Sequence, residues 1–366
     1  VPALVDWIRS DYAKLAPPQG GRLLEKNGAL LLFSGVPADR DLDFLPTPRW
    51  ELANRGRSAP LDTIYYESVR GCPYSCSFCN YPNLFDDTRF RFKSAEKMAD
   101  DWTRYRDELG VETIICLDSL FTMPRRRLRR FCELLIQRRL GLRWVCYARA
   151  DDLAEPEIAP MMAEAGARQV QIGIESGDPE ILANMNKACS VEANAQALAH
   201  CHAHGIVSAI SLIVGFPGET ERSLERTFAF MQSAQPDFYL LAAFSVRAPG
   251  VPVLEPMNRQ RFGLVVAPAL WSMAPYWTHA TMSCVEAAAQ LRALDARLMR
   301  EAVSLNAMAF FRGMLEYHRC DRTALLALQQ RAMNDQPLLR AGFDLAHRWL
   351  DRRLARDLPA ALAPAS

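Results

Sequence analysis

The sequence predicts an α/β fold, a partial (β/α)6 barrel of TIM type, with an irregular N-terminal linker and a C-terminal helical region. Three observations carry that expectation. Short apolar runs alternate with amphipathic stretches from residue 61 to 250. The amphipathic stretches begin and end on capping residues. Outside this span the pattern changes: proline-rich and polar before it, helical after it. The expected boundaries are a linker or wrapping segment at 1–60, the barrel at 61–250 and a mainly helical, substrate-capping region at 251–366.

The linker is marked by LAPPQGG at 15–21 and FLPTPRW at 44–50. The strand candidates are TIYYESV at 63–69, ETIICL at 112–117, RWVCYA at 143–148, QVQIGI at 169–174, VSAISLIV at 207–214 and FYLLAAFS at 238–245. Between them, Ser94 caps a helix whose stripe is Met98, Trp102, Tyr105 and Leu109, ended by Gly110. Pro124 suits a first helical turn, with Leu128, Phe131 and Leu135 as its stripe and Gly141 as its stop. Ser190 opens a helix that closes at Gly205, and Thr220 opens another, broken at Gln235-Pro236. Strands separated by helices imply a parallel sheet, in which chemistry collects at the C-terminal strand ends. Beyond residue 246 the strand pattern fades: 274–282 reads as an ordered loop and 284–358 as helical.

Bulk properties exclude several classes. Net charge is +1, so no global field draws the chain to nucleic acid or an anionic membrane. The longest apolar run, Ile206 to Phe216, contains two serines and is too short to span a bilayer. VPALVDWIRSDY gains charge at Asp6 and has no signal-peptide apolar region. Ten cysteines in a chain apolar enough to need no staples point to a reducing cytoplasm.

The first strand runs into RGCPYSCSFCNYP at 70–82, so Cys72, Cys76 and Cys79 fall where an active site belongs. Three thiols are one ligand too few for a closed tetrahedral site. The spacing is neither the paired knuckle of a zinc ribbon nor the four-cysteine ferredoxin run. Two readings stay open on the triplet alone: a zinc or passive cluster site with a borrowed ligand, or three irons of a four-iron cluster held with the fourth left open.

With Phe78 just before the last cysteine, this loop resembles the signature of the radical S-adenosylmethionine enzymes, and the resemblance extends over residues 62–250. It implies a [4Fe-4S] cluster on Cys72, Cys76 and Cys79. The open iron would bind the amino and carboxylate groups of S-adenosylmethionine, whose reductive cleavage gives a 5′-deoxyadenosyl radical that abstracts hydrogen from a small or medium metabolite. QIGIESGDPEIL at 171–182 is similar to the family's ribose and methionine contact, with Glu175 and Ser176. IVGFPGETERS at 213–223 is similar to the segment along the adenine, with Gly215, Phe216 and Pro217. Asp118 and Ser119 in ICLDSLF are the candidate methionine contacts, although the Gly-Gly-Glu of many members is missing. Arg149 and Arg247 suit the carboxylate by their guanidinium forks. Tyr276, Trp277 and His279 are the substrate-side candidates. A reductant such as flavodoxin or ferredoxin is the implied protein partner.

DLDFLPTPRW at 41–50 and MNKACSVE at 185–192 resemble the cobalamin-dependent class, much of which transfers methyl groups. No Asp-x-His occurs anywhere in the chain, and the sixty residues before the barrel do not hold a cobalamin domain. The chain starts at Val1. The expectation is that such a domain was removed, lies outside this chain, or was lost from the lineage.

Two further stretches draw attention. His200, His202 and His204 sit in the last turn before Gly205 and read as solvated helix-end residues. The run PRRRLRR at 124–130 reads as a solvated face, yet Arg125 to Arg127 oppose the helix dipole in the first turn.

Overall fold

Strands of period two and helices of period 3.6 alternate along the chain, and hydrogen bonding joins the strands into one parallel sheet. The computed structural model describes residues 22–26, 29–33, 41–52, 61–81, 89–246, 250–267, 276–308 and 321–334, and parts of 345–362. In chain order come β1 (Arg22–Lys26) and β2 (Ala29–Phe33), then β3 (Thr63–Tyr66), β4 (Val69–Arg70) and β5 (Arg91–Phe92). The alternating part follows: α1 (Ala95–Leu109), β6 (Thr113–Cys116), α2 (Arg125–Arg138), β7 (Arg143–Ala148), α3 (Ala150–Leu153) and α4 (Ile158–Glu164). It continues with β8 (Ala167–Glu175), α5 (Pro179–Asn184), α6 (Val191–Ala203), β9 (Val207–Val214), α7 (Glu221–Ala234) and β10 (Phe238–Ala243). The last elements are α8 (Pro256–Phe262), β11 (Val265–Val266), β12 (Trp277–His279), β13 (Met282–Ser283), α9 (Cys284–Arg300), β14 (Leu305–Asn306) and α10 (Arg322–Asn334).

The main sheet has seven strands in the order β14-β10-β9-β8-β7-β6-β3. All neighbours are parallel, as a partial barrel of βα units requires. The six strands expected from sequence are present. The seventh, β14, lies inside a region read as helical, because two residues carry no readable period. The stretch expected as a loop at 274–282 contains β12 and part of β13, which join β11 in a small antiparallel sheet. The N-terminal segment contains the β1–β2 hairpin, whose sequence signal is Asn27-Gly28 between two apolar runs.

Capping follows local chemistry. The Ser94 hydroxyl accepts from the Lys97 amide, and Gly110 closes α1 in the left-handed region. Ser190 accepts from the Ala193 amide, and Thr220 and Ser223 form a reciprocal capping box. Pro124 precedes α2 as its N-cap, and Arg139 closes that helix two residues before Gly141.

Strand register sorts the side chains onto two faces. Ile64, Tyr66, Ile114, Cys116, Trp144, Cys146, Val170, Ile172, Ile210 and Leu212 face the helices and form the main core. At its centre Trp144 packs against Trp102, Phe121 and Phe131, with ring centroids 5.3 to 6.4 Å away. Its indole N–H donates to the Ala165 carbonyl at 2.9 Å. The opposite face follows two paired rows, Tyr65–Ile115–Val145 and Tyr147–Gln171–Ala209–Phe238, and a third row of Gly173, Ser211 and Leu240. At the N-terminal end of this face Ala209, Phe238, Leu305 and Ala307 pack beneath Leu325 and Leu326 of α10. Toward the C-terminal end it opens.

The basic first turn of α2 is explained by its partners. Arg125 pairs with Asp152 at 2.9 Å and Glu155 at 2.8 Å. Arg127 is buried, and its guanidinium donates to the carbonyls of Phe121, Ser68 and Lys93. The cost of opposing the dipole is offset by these charge-assisted bonds.

Candidate active site around the cysteine loop

The loop after β3 is fixed before any ligand is considered. Gly71 has φ +79°, and a Cβ there would lie 2.1 Å from the Arg89 carbonyl oxygen, so only glycine lets the chain turn here. The Ser77 amide donates to Met185 O at 2.8 Å, its hydroxyl donates to Asn184 O at 3.1 Å, and its carbonyl accepts from the Val253 amide at 2.9 Å. The Asn186 amide donates to Ser75 O at 2.9 Å. Cys76 is buried, Cys72 and Cys79 are half-buried, and all three are free thiols. Burial pushes the Cys72 and Cys79 thiols up, and the Lys187 ammonium pulls both back, aided at Cys72 by Arg149. Among the described residues no three His, Cys, Asp or Glu side chains converge tightly enough for a single metal ion. Three free thiols on one loop beside two cations fit an iron–sulfur cluster, whose ligands are thiolates.

Asp118 and Ser119 lie beneath the start of the loop. The Asp118 carboxylate accepts from the Ser68 amide at 2.6 Å, the Ser68 hydroxyl at 2.5 Å and the Val69 amide at 2.8 Å. Burial raises its pKa, although these bonds and Arg127 oppose the rise. The Ser119 hydroxyl donates to Gly71 O at 3.2 Å. Both side chains thus tie the first residues of the loop to the end of β6.

Glu175 ends β8 at a register shift with φ +65°. That turn carries its carboxylate back over Gly173, where a Cβ would meet Glu175 Oε1 at 2.3 Å and Lys187 Nζ at 2.8 Å. The Lys187 ammonium donates to Glu175 at 3.0 Å, and both side chains are over nine-tenths buried. Burial works against the charge on Lys187, but Glu175 and the Cys76 sulfur raise its pKa above the usual value. Its ammonium also lies 5.8 Å from the Phe78 ring centroid. Arg149 stacks on Tyr74 within the cysteine loop at 3.7 Å, and its fork donates to the carbonyls of Lys187 and Ala188 and to Asp151. Lys187 is the residue that sequence reasoning omits. Its one signal is its place in MNKACSVE.

After β9 the chain turns through Gly215-Phe216-Pro217-Gly218. Gly215 has φ +88° and packs against Trp277 and Ala287. Phe216 is fully buried, edge-on to Phe78 at 6.4 Å and to Phe244 at 5.2 Å. The Pro217 carbonyl accepts from Asn184 at 3.4 Å. Glu219 folds back to accept the Gly215 amide, and burial pushes its carboxyl up to about 8, with Asp178 adding to the rise against that hydrogen bond.

The remaining candidates are placed as follows. The Ser176 hydroxyl bonds to Thr227 at 3.2 Å and accepts from the Asp178 amide, on the helix side of the sheet. Trp277 donates to Phe244 O at 2.9 Å and stacks on His279 at 5.0 Å, while His279 Nε2 meets Gly215 O at 3.1 Å. These two rings support the 215–219 turn from behind, and burial lowers the His279 pKa. Tyr276, beside them, is half-buried. Arg247 lies outside the described residues. His200 Nδ1 meets Leu153 O at 2.9 Å and His202 lies 3.7 Å from Asp237, so these histidines point to separate partners.

Residues 66–231 match the Radical SAM superfamily. The chain is 32% identical over 216 residues to the anaerobic magnesium-protoporphyrin IX monomethyl ester cyclase of Rubrivivax gelatinosus, covering 58% of this chain and 38% of that protein. It is 30% identical over 199 residues to the bacteriochlorophyllide d C-12(1)-methyltransferase of Chlorobaculum tepidum, covering 52% and 42%. The matched part is thus less than half the length of either relative. In fold it is similar to the cobalamin-dependent S-adenosylmethionine radical enzyme OxsB, with TM-score 0.62 and 16% identity over 90% of this chain and 54% of that one. No helix among the described residues is long and apolar enough to cross a membrane.

Proposed function

We propose, from the match of residues 66–231 to the Radical SAM superfamily, that the protein is an enzyme that cleaves S-adenosylmethionine reductively to start hydrogen abstraction from a small or medium metabolite. The observation that carries this reading is the convergence of three free thiols with a buried Lys187–Glu175 pair at the C-terminal end of a parallel sheet. Cys72, Cys76 and Cys79 would hold the cluster. When bound, the cluster supplies the electron that breaks the sulfonium carbon–sulfur bond. The protein's part is binding and orientation. Lys187 and Arg149 are the cations facing the loop and suit the cofactor's carboxylate, and Glu175 suits its amino group. Phe216 and the 215–218 backbone give an apolar wall for the adenine. Burial of these groups in a site walled by Phe78, Phe216 and Phe244 keeps water from the reacting centre.

The reading includes a flavodoxin- or ferredoxin-like electron donor and a reducing cytoplasm, which agrees with nine free thiols among the described residues. Methyl transfer is supported by the methyltransferase relative. No Asp-x-His is present to ligate cobalamin, so no step is assigned to that cofactor on this chain. A second reading, cyclisation without methyl transfer, is favoured by the 32% identity to the cyclase. S-adenosylmethionine labelled in its methyl group separates the two. Label in the product of a reconstituted reaction supports transfer, and label retained in methionine supports the cyclase reading.

A further inference from the structure

We propose that His279, on the small antiparallel sheet of the C-terminal region, is a positioning residue for S-adenosylmethionine: it clamps the backbone of Gly215 and so sets the turn against which the adenine lies. This deepens the function proposed above and rests on its assignment of the 215–218 turn to the adenine. His279 lies outside residues 66–231, the span that matches the superfamily, so that match assigns it no role.

The partners of the imidazole fix its tautomer. The Thr281 amide, which can only donate, meets Nδ1 at 3.4 Å, and the Thr281 hydroxyl lies 3.2 Å from the same nitrogen. Nδ1 is therefore the acceptor. Burial lowers the pKa of the ring, so at neutral pH it has one N–H to give. That N–H sits on Nε2, 3.1 Å from the Gly215 carbonyl, which can only accept. Both ends of the ring lead to the same assignment. On the other side, Glu219, just ahead of α7, accepts the Gly215 amide. Both backbone polar groups of Gly215 are thus held by side chains.

The strand that carries His279 is itself fixed. Trp277 stacks on His279 with the rings 6° from parallel and donates to Phe244 O at 2.9 Å. The Ala280 amide donates to Phe262 O at 2.9 Å, which ties the end of β12 to the end of α8. A Cβ on Gly215 would lie 2.5 Å from Ala287 Cβ and 3.0 Å from the Trp277 ring, so the turn is pressed against the C-terminal region without slack. Phe216, the next residue, is fully buried, edge-on to Phe78 of the cysteine loop at 6.4 Å and to Phe262 at 6.3 Å. In an interior packed this closely, a shift of Gly215 is passed to the Phe216 ring and to the wall it forms. His279 acts on the cofactor through that turn.

The test titrates the anaerobically reconstituted full chain with S-adenosylmethionine by calorimetry. Iron content and the rate of 5′-deoxyadenosine formation at saturating cofactor are measured on the same preparations. His279→Phe keeps a ring on Trp277 but removes the N–H. It should weaken binding about tenfold, the size expected when a buried carbonyl loses its donor, with iron content unchanged. His279→Asn, polar but too short to reach Gly215, carries the same expectation and replaces the Phe variant if that one does not fold. His279→Gln, whose amide can donate to the Gly215 carbonyl, should bind within about threefold of the wild type. The rate at saturating cofactor should change less than about twofold in each, because the lost interaction is one of binding. Unaltered affinity in folded His279→Phe or His279→Asn, or equal weakening in His279→Gln, would overturn the proposal. So would a lower saturated rate at unchanged affinity, the result expected of a residue that touches the substrate. A wild type that takes up iron but does not bind S-adenosylmethionine would remove the proposed function and the clamp together. Equal affinity across wild type and variants would remove the clamp alone.

Discussion

Glu219 makes the stability of the turn after β9 depend on pH. Its carboxyl is 1% exposed, accepts the Gly215 amide and titrates near 8 against an ordinary value of 4.5. A raised folded-state pKa contributes stability fully below pH 4.5, and the contribution is lost as pH rises through about 8. At about 1.4 kcal/mol per unit, the gap amounts to some 4–5 kcal/mol between those limits. Glu219→Gln mimics the protonated acid, keeps a carbonyl for the Gly215 amide and cannot ionise. Urea denaturation of both proteins under anaerobic conditions from pH 4.5 to 9 checks this. The wild type should lose stability relative to Glu219→Gln by about 1 kcal/mol or more per pH unit above 5, and the difference should level off beyond pH 8.5. Parallel curves for the two proteins would refute the reasoning, since the carboxyl would then not be held neutral in the fold.

Three further outcomes are expected. Gly71→Ala should cost more than about 2 kcal/mol, from the left-handed backbone penalty and the clash with Arg89 O, and should lower iron uptake by the protein that folds; thermal melting and iron assay check both. Lys187→Met should destabilise by about 3 kcal/mol by leaving Glu175 buried and unpaired. The double variant with Glu175→Gln should recover most of that stability in denaturant titration, without regaining binding of S-adenosylmethionine. Trp144→Ala should cost about 3–5 kcal/mol by emptying the centre of the helix-side core, measured by denaturation, while the folded fraction retains its iron.

The parts of the fold that were legible are those that repeat. Val207–Val214 and Arg143–Ala148 fall where the strand pattern predicts them, because a buried parallel strand is a near-continuous apolar run between caps such as Ser190 and Thr220. Leu305–Asn306 was not legible, since its place is set by pairing with β10 and not by any local period. The site divides in the same way. The cysteines announce themselves by spacing, a property of the local chain. Lys187 is one of 43 Lys and Arg residues, and only its burial against Glu175 and the cysteine loop marks it. Trp277 and His279 are conspicuous in sequence by ring and titratable nitrogen. The fold spends those polar atoms on Phe244 and Gly215. Asp118 is likewise engaged with Ser68 and Val69, a tie that no sequence pattern announces.

The central claim is that Cys72, Cys76 and Cys79 hold a cluster with one iron left for S-adenosylmethionine. Anaerobic reconstitution with iron and sulfide, followed by reduction in the presence of S-adenosylmethionine, tests it most directly. The account predicts about four iron atoms per chain, lost in Cys76→Ala, and formation of 5′-deoxyadenosine and methionine. Zinc in place of iron, or a reduced cluster that yields neither product, would contradict it.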